Sequence, residues 1–293
     1  MSITLLEAAK LATDPLKRGI IEIFPRVSPV LERLPFFAVN GMAYKYAQEQ
    51  TLPGVAFRGI NESYDESTGV INPQVEPLFV LGGISAVDRA LVRTQGNSND
   101  LRAIHDAMKA KATALEYTKA FFKGDNSANP KEFDGLQKRL TGNQVIACTA
   151  MDPLTLAKVD ELIDAVQGTP DVLFMNKTIR RRINYFMRDA GQATETVSDA
   201  FGRQIHAYAG IPIAVIEQDK DGADILGFTE DGNTTSIYAV KFGAAEFVSG
   251  LQANEMVVED LGVNRTMLET LIDWVCGMGV FHPKAAARLS GIS

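Results

Sequence analysis

The longest regular pattern of hydrophobic and polar positions lies between residues 98 and 124. Apolar residues recur there at the spacing expected for one face of an α-helix: Leu101, Ile104, Met108, Ala112, Leu115 and Phe122. The sequence Ser98-Asn99-Asp100 supplies side chains that cap a helix N-terminus, and Lys123-Gly124 is typical of a helix end. The pattern predicts one helix of about 24 residues, roughly 36 Å long, which we interpret as a spine across a flat domain.

The second half of the chain mixes short helix and strand patterns without regular alternation. One helix is predicted after Asp152-Pro153, ending near Gly168, and another after the capping residue Asn176. Short apolar runs typical of strands occupy residues 171–175, 211–216, 237–240, 256–258 and 271–281. Because helices and strands are mixed without regular βαβ alternation, the predicted class is α+β.

Residues 1–50 carry many apolar side chains but no pattern for one compact helix. Short amphipathic helices are predicted at 3–12 and 15–23, and prolines interrupt the segment repeatedly, at Pro15, Pro25, Pro29 and Pro35. So many apolar side chains are not left in water. We therefore expect an extended arm that lies along a surface, either its own or that of a neighbour.

Residues 54–79 predict a β-hairpin whose strands lack a complete apolar face. The polar sequence at 65–69 favours a chain reversal. Val55 and Phe57 begin an inward alternation, but Gly59 and the polar residues after it do not continue the pattern. An isolated two-stranded hairpin is only marginally stable in water. The segment is either a flexible loop or a hairpin whose partner surface belongs to another molecule.

The composition narrows the classes of function. The chain has 29 Lys and Arg against 36 Asp and Glu, a net charge of −7, which argues against a surface built to grip nucleic-acid phosphates. Its two cysteines, Cys148 and Cys276, have no partner spacing for a disulfide framework or a zinc site. No apolar run approaches the roughly 20 residues of a membrane span, and no signal-peptide pattern is present. We expect a reducing, cytoplasmic site of synthesis.

Candidate chemistry is sparse along the chain. There is no phosphate-binding loop and no complete dinucleotide-binding glycine motif. The three histidines, His105, His206 and His282, do not have metal-ligand spacing. Arg180-Arg181-Arg182 would lie on a helix, where neighbours point about 100° apart, so the cluster is interpreted as solvated helix surface. Trp274 is expected in the core or at an interface. No residue is predicted to be catalytic, to bind a cofactor or to hold a metal.

Five segments, taken in order, resemble the major capsid proteins of tailed bacteriophages. They are residues 28–36 of the arm, the Phe57-Arg58-x-x-Asn61-Glu62 sequence of the hairpin, residues 121–125, residues 133–136 and residues 282–289. None of them is diagnostic alone, and together they span nearly the whole chain. The resemblance implies the tailed-phage major capsid fold with these parts: an N-terminal arm at 1–50, an extended loop at 51–82, a peripheral domain with the spine helix at 83–149 and 251–293, and an axial domain at 150–250.

The resemblance also implies which residues meet other subunits. The extended loop would lie over a neighbouring subunit, which would explain the incomplete apolar face of the hairpin. The expected inter-subunit contacts in the loop and arm are Phe57, Arg58, Asn61, Glu62, Tyr64, Leu31, Arg33 and Phe36. Gly82 and Gly83 are expected to form a hinge at the end of the loop.

The implied function is a structural subunit that forms hexamers and pentamers of an icosahedral shell around double-stranded DNA. The shell would be part of a virion assembled in the bacterial cytoplasm, without sequence-specific DNA binding, a cofactor or a membrane. Because arm-like sequence starts almost at Met1, a separate scaffolding protein is expected, with a portal and a possible decoration protein. Two alternatives stay open: an encapsulin-type shell around a cargo enzyme, and a small cytoplasmic enzyme with an unrecognised site.

Overall fold

The computed structural model describes residues 23, 26–51, 53–94, 101–149, 153–191, 195–198, 202, 204–230 and 232–293. The helices predicted at 3–12 and 15–23 lie outside these residues, apart from residue 23. The described helices are α1 (Pro29–Arg33), α2 (Arg89–Thr94), α3 (Leu101–Lys123), α4 (Leu136–Arg139), α5 (Leu156–Asp164) and α6 (Lys177–Asp189). A short 3₁₀ turn follows α4 at Gly142–Gln144.

The strands form two larger sheets and one two-stranded ribbon. They are β1 (Phe36–Ala38), β2 (Ala43–Thr51), β3 (Val70–Pro77), β4 (Phe79–Asp88), β5 (Val145–Ala147), β6 (Val172–Met175), β7 (Glu195–Ser198), β8 (Gln204–Tyr208), β9 (Ile211–Val215), β10 (Thr235–Val240), β11 (Val248–Gln252), β12 (Val257–Asn264), β13 (Met267–Val280) and β14 (Ala286–Ile292). The mixture of helices and sheets confirms the predicted α+β class.

The seven-stranded sheet has the order β5-β14-β10-β6-β9-β8-β7 and is covered on both faces. Its central strand β6 has four consecutive buried residues, as expected for a strand enclosed on both sides. Leu162 of α5 and Ile179 and Ile183 of α6 pack on one face. The aromatic ring of Phe122, near the end of α3, packs on the other face, 5.4 Å from that of Phe174. This sheet holds most strands of residues 150–250, predicted as the axial domain, but it also includes β5 and β14 from outside that range, and the domain division stays a prediction.

The second sheet is built around the long strand β13. It has the order β1-β11-β13-β12, and β4 pairs with β13 from Phe79 to Asp88. The indole ring of Trp274 in β13 is fully buried, with ring centroids 5.1 Å from both Phe36 and Tyr117. This contact joins the arm, the spine helix and the sheet in one core, and it places Trp274 in that core.

The spine helix is confirmed as α3, with 23 residues, and the Lys123-Gly124 end is confirmed as well. The predicted apolar stripe coincides with the buried face only in part, at Phe122. Met108 and Ile104 are 62% and 43% exposed, whereas the buried residues of α3 are Asp106, Ala110, Thr113, Ala114, Tyr117, Thr118, Phe121 and Phe122. Polar side chains are tolerated on this face because distant elements hydrogen-bond to them. The hydroxyl groups of Ser28 and Thr118 lie 2.6 Å apart, and the hydroxyl of Thr270 donates to Asp106 over 3.1 Å.

The two helices of the second half differ in how well the sequence located them. Asn176 caps α6, its side chain accepting from the backbone nitrogen of Ile179 at 2.8 Å, as predicted. The predicted start of α5 at Asp152-Pro153 was wrong, since the helix begins at Leu156. Thr155 is its N-cap and accepts from the backbone nitrogen of Lys158 at 3.3 Å. A second capping residue three positions further on competes successfully with the Asp-Pro signal.

Candidate assembly surface

The hairpin exists and its second strand, β3, lies where the sequence pattern indicated, but its first strand does not. β2 and β3 pair antiparallel from Ala43↔Pro77 onwards, with an irregularity between Glu49 and Thr51. The described residues between these strands, 53–69, form no strand or helix. The first strand therefore lies almost entirely within residues 1–50, which were predicted as the arm, and ends at Thr51, whereas the segment predicted as the first strand is the tip. Tyr44 and Tyr46 supply the inward alternation that residues 55–63 lack.

The base of the hairpin is held to the subunit by a buried ion pair. Arg139 of α4 donates from both terminal nitrogens to the two carboxylate oxygens of Glu76 in β3, each at 2.6 Å. Tyr46 of β2 donates to the backbone oxygen of Val280 at 3.0 Å and to Glu76 at 3.3 Å. Burial, together with the neighbouring Glu76 carboxylate, raises the pKa of Tyr46 to about 12. The phenol is neutral, and the base is fixed by directional bonds.

Aromatic packing reinforces this anchor. The ring of Phe281 lies 4.6 Å from Tyr46, 5.8 Å from Tyr44 and 5.9 Å from Phe37, between ring centroids. The first two contacts are edge-to-face, an arrangement that favours aromatic pairs. Leu78, which directly follows β3, is buried in the same small cluster. The hairpin therefore leaves the subunit from a rigid base.

The tip, defined here as residues 53–69, exposes its large apolar side chains. Val55 is 95%, Phe57 108% and Ile60 95% exposed, and Tyr64 is 66% exposed. Exposed single apolar residues are common, but a cluster on one projecting loop marks an interaction site. None of these four side chains belongs to a hydrophobic cluster of the described residues.

Local hydrogen bonds give the tip a defined turn. Arg58 donates to the backbone oxygen of Glu62 at 2.8 Å, and the backbone nitrogen of Gly59 donates to the Glu62 carboxylate at 2.7 Å. Asn61 has a positive φ of 70°, a conformation that asparagine tolerates better than most residues. The Arg58 guanidinium lies 5.2 Å from the ring centroid of Tyr64. These bonds order the turn and so lower the entropy that a partner must remove on binding.

The structure divides the predicted contact residues into two groups. Phe57, Arg58, Asn61, Glu62 and Tyr64 come together at the exposed tip. The arm residues do not join them. Leu31 and Phe36 have 0% and 1% exposure and lie in the core of their own subunit, and Arg33 is partly buried beside Glu32. Apolar side chains in the arm thus attach it to its own chain, a role that sequence alone could not distinguish from contact with a neighbour.

Gly82 and Gly83 lie inside β4, where they pair with Asp273 and Ile272 of β13. A Cβ at Gly82 would come 2.1 Å from the backbone oxygen of Ile272, so close strand approach requires glycine at this position. Within this conformation the two glycines are part of a continuous ladder. The hinge stays a prediction.

A second exposed apolar surface was not predicted from the sequence. Ile84 of β4 and Met108 of α3 are 50% and 62% exposed and line one shallow cavity of about 280 Å³. Val80 lies on the same side of β4 as Ile84, and Ile104 lies one helical turn before Met108. The heptad pattern of α3 was the signal for this surface. We call these four residues the spine patch.

Charged groups do not converge into a reaction centre within the described residues. Hydrogen bonds from Lys119, Lys138 and Arg102 lower the pKa of Asp219, Asp125 and Asp260, respectively. Arg102 and Lys119 lie towards opposite ends of α3, and Lys138 lies on α4. In the described part of the chain, no three His, Cys, Asp or Glu side chains are grouped as a metal site. None of the described helices is both long and apolar enough to cross a membrane.

The sequence and the structure were compared with known protein families and solved structures. A family model described as major capsid protein GP7 matches residues 14–153. No curated protein sequence matches the chain. The structure is similar to the encapsulin of the holo-SrpI complex from Synechococcus elongatus PCC 7942, at 18% identity and a TM-score of 0.69, covering 98% of this chain and 95% of that one.

Two further structures are also similar. The capsid of the native GTA particle has 16% identity, a TM-score of 0.64 and 88% coverage of each chain. A chain from Mycobacterium phage Bobi has 14% identity, a TM-score of 0.64 and 91% coverage of each chain. The predicted resemblance to tailed-phage major capsid proteins is confirmed, and so is the predicted fold, which phage capsids and encapsulins share.

Proposed function

We propose that this chain is the major capsid subunit of a tailed phage. It is a structural protein without catalytic activity that assembles into hexamers and pentamers of an icosahedral shell around double-stranded DNA. The observation that carries this proposal is the hairpin. Its base is fixed by the Glu76–Arg139 pair, whereas its tip presents exposed apolar side chains that the described part of its own chain does not cover. A rigid base and an uncovered tip are the design expected of a strap that binds a neighbour.

The tip has a complementary surface on the same chain. The spine patch offers exposed apolar side chains, with Lys109 at its edge. The tip carries Arg58 against the three carboxylates of Glu62, Asp65 and Glu66, so it is net acidic. Contact between the tip of one subunit and the spine patch of the next joins two different surfaces. Such head-to-tail contacts close into rings, which are the capsomers of a shell.

The energy of each contact is modest. Full burial of an apolar side chain such as Phe57 contributes about 1.5–3 kcal/mol. The entropy lost on association offsets much of this gain. A shell repeats the contact in every subunit, so that many weak contacts hold together what one contact would not.

The experiment compares the Phe57→Ser variant with the unchanged chain by light scattering and negative-stain electron microscopy. The chain is expressed alone and together with the scaffolding protein of the same phage. We expect closed particles or capsomer rings from the unchanged chain and unassembled subunits of equal thermal stability from Phe57→Ser. Val197→Ser, which removes an exposed apolar side chain from β7, is the matched control and should assemble. Monodisperse monomers of the unchanged chain under both conditions, or normal particles from Phe57→Ser, would contradict the proposal.

The other partners belong to the same proposal. They are a separate scaffolding protein, a portal and a possible decoration protein, with assembly in the host cytoplasm and residence in the virion. The net charge of −7 is compatible with DNA that is enclosed without sequence-specific binding.

An encapsulin-type shell is the second candidate. The observation in its favour is the similarity to the SrpI encapsulin, with a TM-score of 0.69 over 98% of the chain. The contents of purified particles distinguish the two functions. Nuclease-protected DNA supports the phage capsid, whereas a co-purified protein cargo without DNA supports the encapsulin.

A further inference from the structure

Helix α6 concentrates positive charge in an acidic chain. Its 13 residues include five cationic side chains, and the single acidic residue is Asp189 at the C-terminal end. The chain as a whole has a net charge of −7. The cationic residues are Lys177, Arg180, Arg181, Arg182 and Arg188.

The fold separates the three consecutive arginines, as the helical geometry predicted. Arg180 lines a groove of about 720 Å³ between α3 and β9. Arg182 donates to the backbone oxygen of Ser293 and lies 5.8 Å from the ring centroid of Phe228. Only Arg181 of the three is exposed. Arg182 is therefore occupied by its own subunit, Arg180 lies within the groove, and Arg181 is exposed to solvent.

Arg181 shares its exposed face with Tyr185 and Arg188. The three residues are spaced at i, i+4 and i+7, which places them in a row about 10 Å long. Tyr185 is 58% exposed, and Arg188 is exposed as well. We call this row the α6 stripe.

The positive charge of the stripe is not neutralised by ion pairs within the described residues. Among the described residues, no carboxylate forms an ion pair with Arg181 or Arg188, although Asp189 follows Arg188 directly. The Nε atom of Arg188 donates to the backbone oxygen of Asn184 at 3.2 Å, which leaves its terminal nitrogens available. Lys177, at the start of the helix, is neutralised by Glu217 at 2.8 Å. Two guanidinium groups thus face solvent on either side of an exposed aromatic ring.

We propose that the α6 stripe binds the phosphate backbone of the enclosed DNA, which would place this face of the subunit on the inner side of the shell. The proposal rests on the proposed capsid function. Arginine matches phosphate geometry with paired N–H donors. Tyr185 supplies a flat, partly apolar surface with a hydroxyl donor between the two arginines. The contact is weak for each subunit, since the rest of the chain is acidic, and it becomes significant because the shell repeats it.

An acidic face on a second copy of the chain is the competing partner. The nearest acidic face on the same sheet belongs to α5, where two of the three carboxylates already have partners and Asp164 is exposed. Glu161 pairs with Lys158 at 2.9 Å, and Asp160 accepts from the hydroxyl of Tyr208 at 2.7 Å. This favours phosphate over protein as the ligand of the stripe.

The test measures the binding of the purified full chain to a fluorescent DNA duplex of about 30 base pairs, by anisotropy, between about 50 and 200 mM salt. The double variant Arg181→Gln/Arg188→Gln should lower the slope of log affinity against log salt by about 2, one for each arginine. Lys111→Gln/Lys131→Gln is the matched control, because it removes the same charge from exposed positions outside the stripe. It should leave the slope unchanged.

Three outcomes would overturn the proposal. They are the absence of binding by the unchanged chain at low salt, an equal loss of slope in both double variants, and a defect of the stripe variant in particle formation with DNA binding intact. The last outcome would assign the stripe to a second copy of the chain. Electron microscopy of the same samples tests the proposed function separately, since shells that form without binding DNA refute the stripe alone.

Discussion

The anchor of the hairpin gives the sharpest test of the structure. Arg139→Met keeps most of the volume of the arginine side chain but removes the cation that binds Glu76. The Glu76 side chain is 9% exposed and that of Arg139 is 17% exposed, so the carboxylate would remain buried without its ion-pair partner. Among the described residues, the carboxylate would keep only the 3.3 Å hydrogen bond from Tyr46. Opening of the hairpin then exposes the Glu76 carboxylate to water and removes the free-energy cost of burying its charge without a partner.

Removing one partner of a buried ion pair costs about 3–5 kcal/mol. The lower end applies here, because Arg139 retains some access to solvent. A loss of about 3 kcal/mol corresponds to roughly a hundredfold increase in the opening equilibrium of the hairpin. The double variant Glu76→Gln/Arg139→Met removes both charges and should recover most of this loss, since no buried charge remains.

Hydrogen exchange on the unassembled subunit measures this opening directly. In Arg139→Met, the amides that pair β2 with β3 should exchange roughly a hundredfold faster. Those that pair β6 with β10 in the seven-stranded sheet should be unchanged and serve as the internal reference. The reasoning would be refuted by unchanged protection in the hairpin. It would also be refuted by a double variant that opens as readily as Arg139→Met, because the buried charge would then not be the cause.

Two further predictions concern stability. In Gly250→Ala, the new Cβ would lie 2.2 Å from a ring carbon of the buried Phe36. Denaturant unfolding should therefore show a free energy of unfolding lower by about 1–3 kcal/mol. The control Gly54→Ala, at the tip, should change this free energy little, and equal stability of the two variants would contradict the prediction. Lys119 lowers the pKa of Asp219, so the stability from this pair is present above the unfolded value near 3.8 and is lost as pH falls through the lower folded value. Lys119→Met should therefore flatten the fall in unfolding free energy below about pH 4, and an unchanged pH profile would show that the pair contributes nothing.

The sequence located elements where the deciding interaction is local. Lys123-Gly124 and Asn176 mark real helix boundaries because a cap bonds within a few residues of itself. The prediction of where α5 starts was wrong for the same reason. Asp152-Pro153 and Thr155 are both suitable N-terminal capping signals, and only the rest of the fold decided between them. Continuous apolar runs such as Val172–Met175 were equally clear, because a strand enclosed on both faces has no polar side to misplace.

The sequence did not reveal which apolar residues form the core and which face outward. Met108 and Phe122 repeat in one heptad pattern, yet the first is exposed and the second is buried. The helix rotates its polar residues Asp106 and Thr118 inward because Thr270 and Ser28, more than 80 positions away in the chain, provide hydrogen bonds. No local pattern contains that information.

The candidate assembly surface divides in the same way. The sequence by itself determined that residues 55–64 lack a complete apolar face, and hence that the tip would not be covered by strand pairing alone. Only the tertiary structure decided that Leu31 and Phe36 attach the arm to its own core and that the hairpin is anchored through Glu76 and Arg139. The physical reason is that burial and ion pairing depend on residues brought together from distant parts of the chain, whereas turns, caps and strand periodicity are set by neighbours.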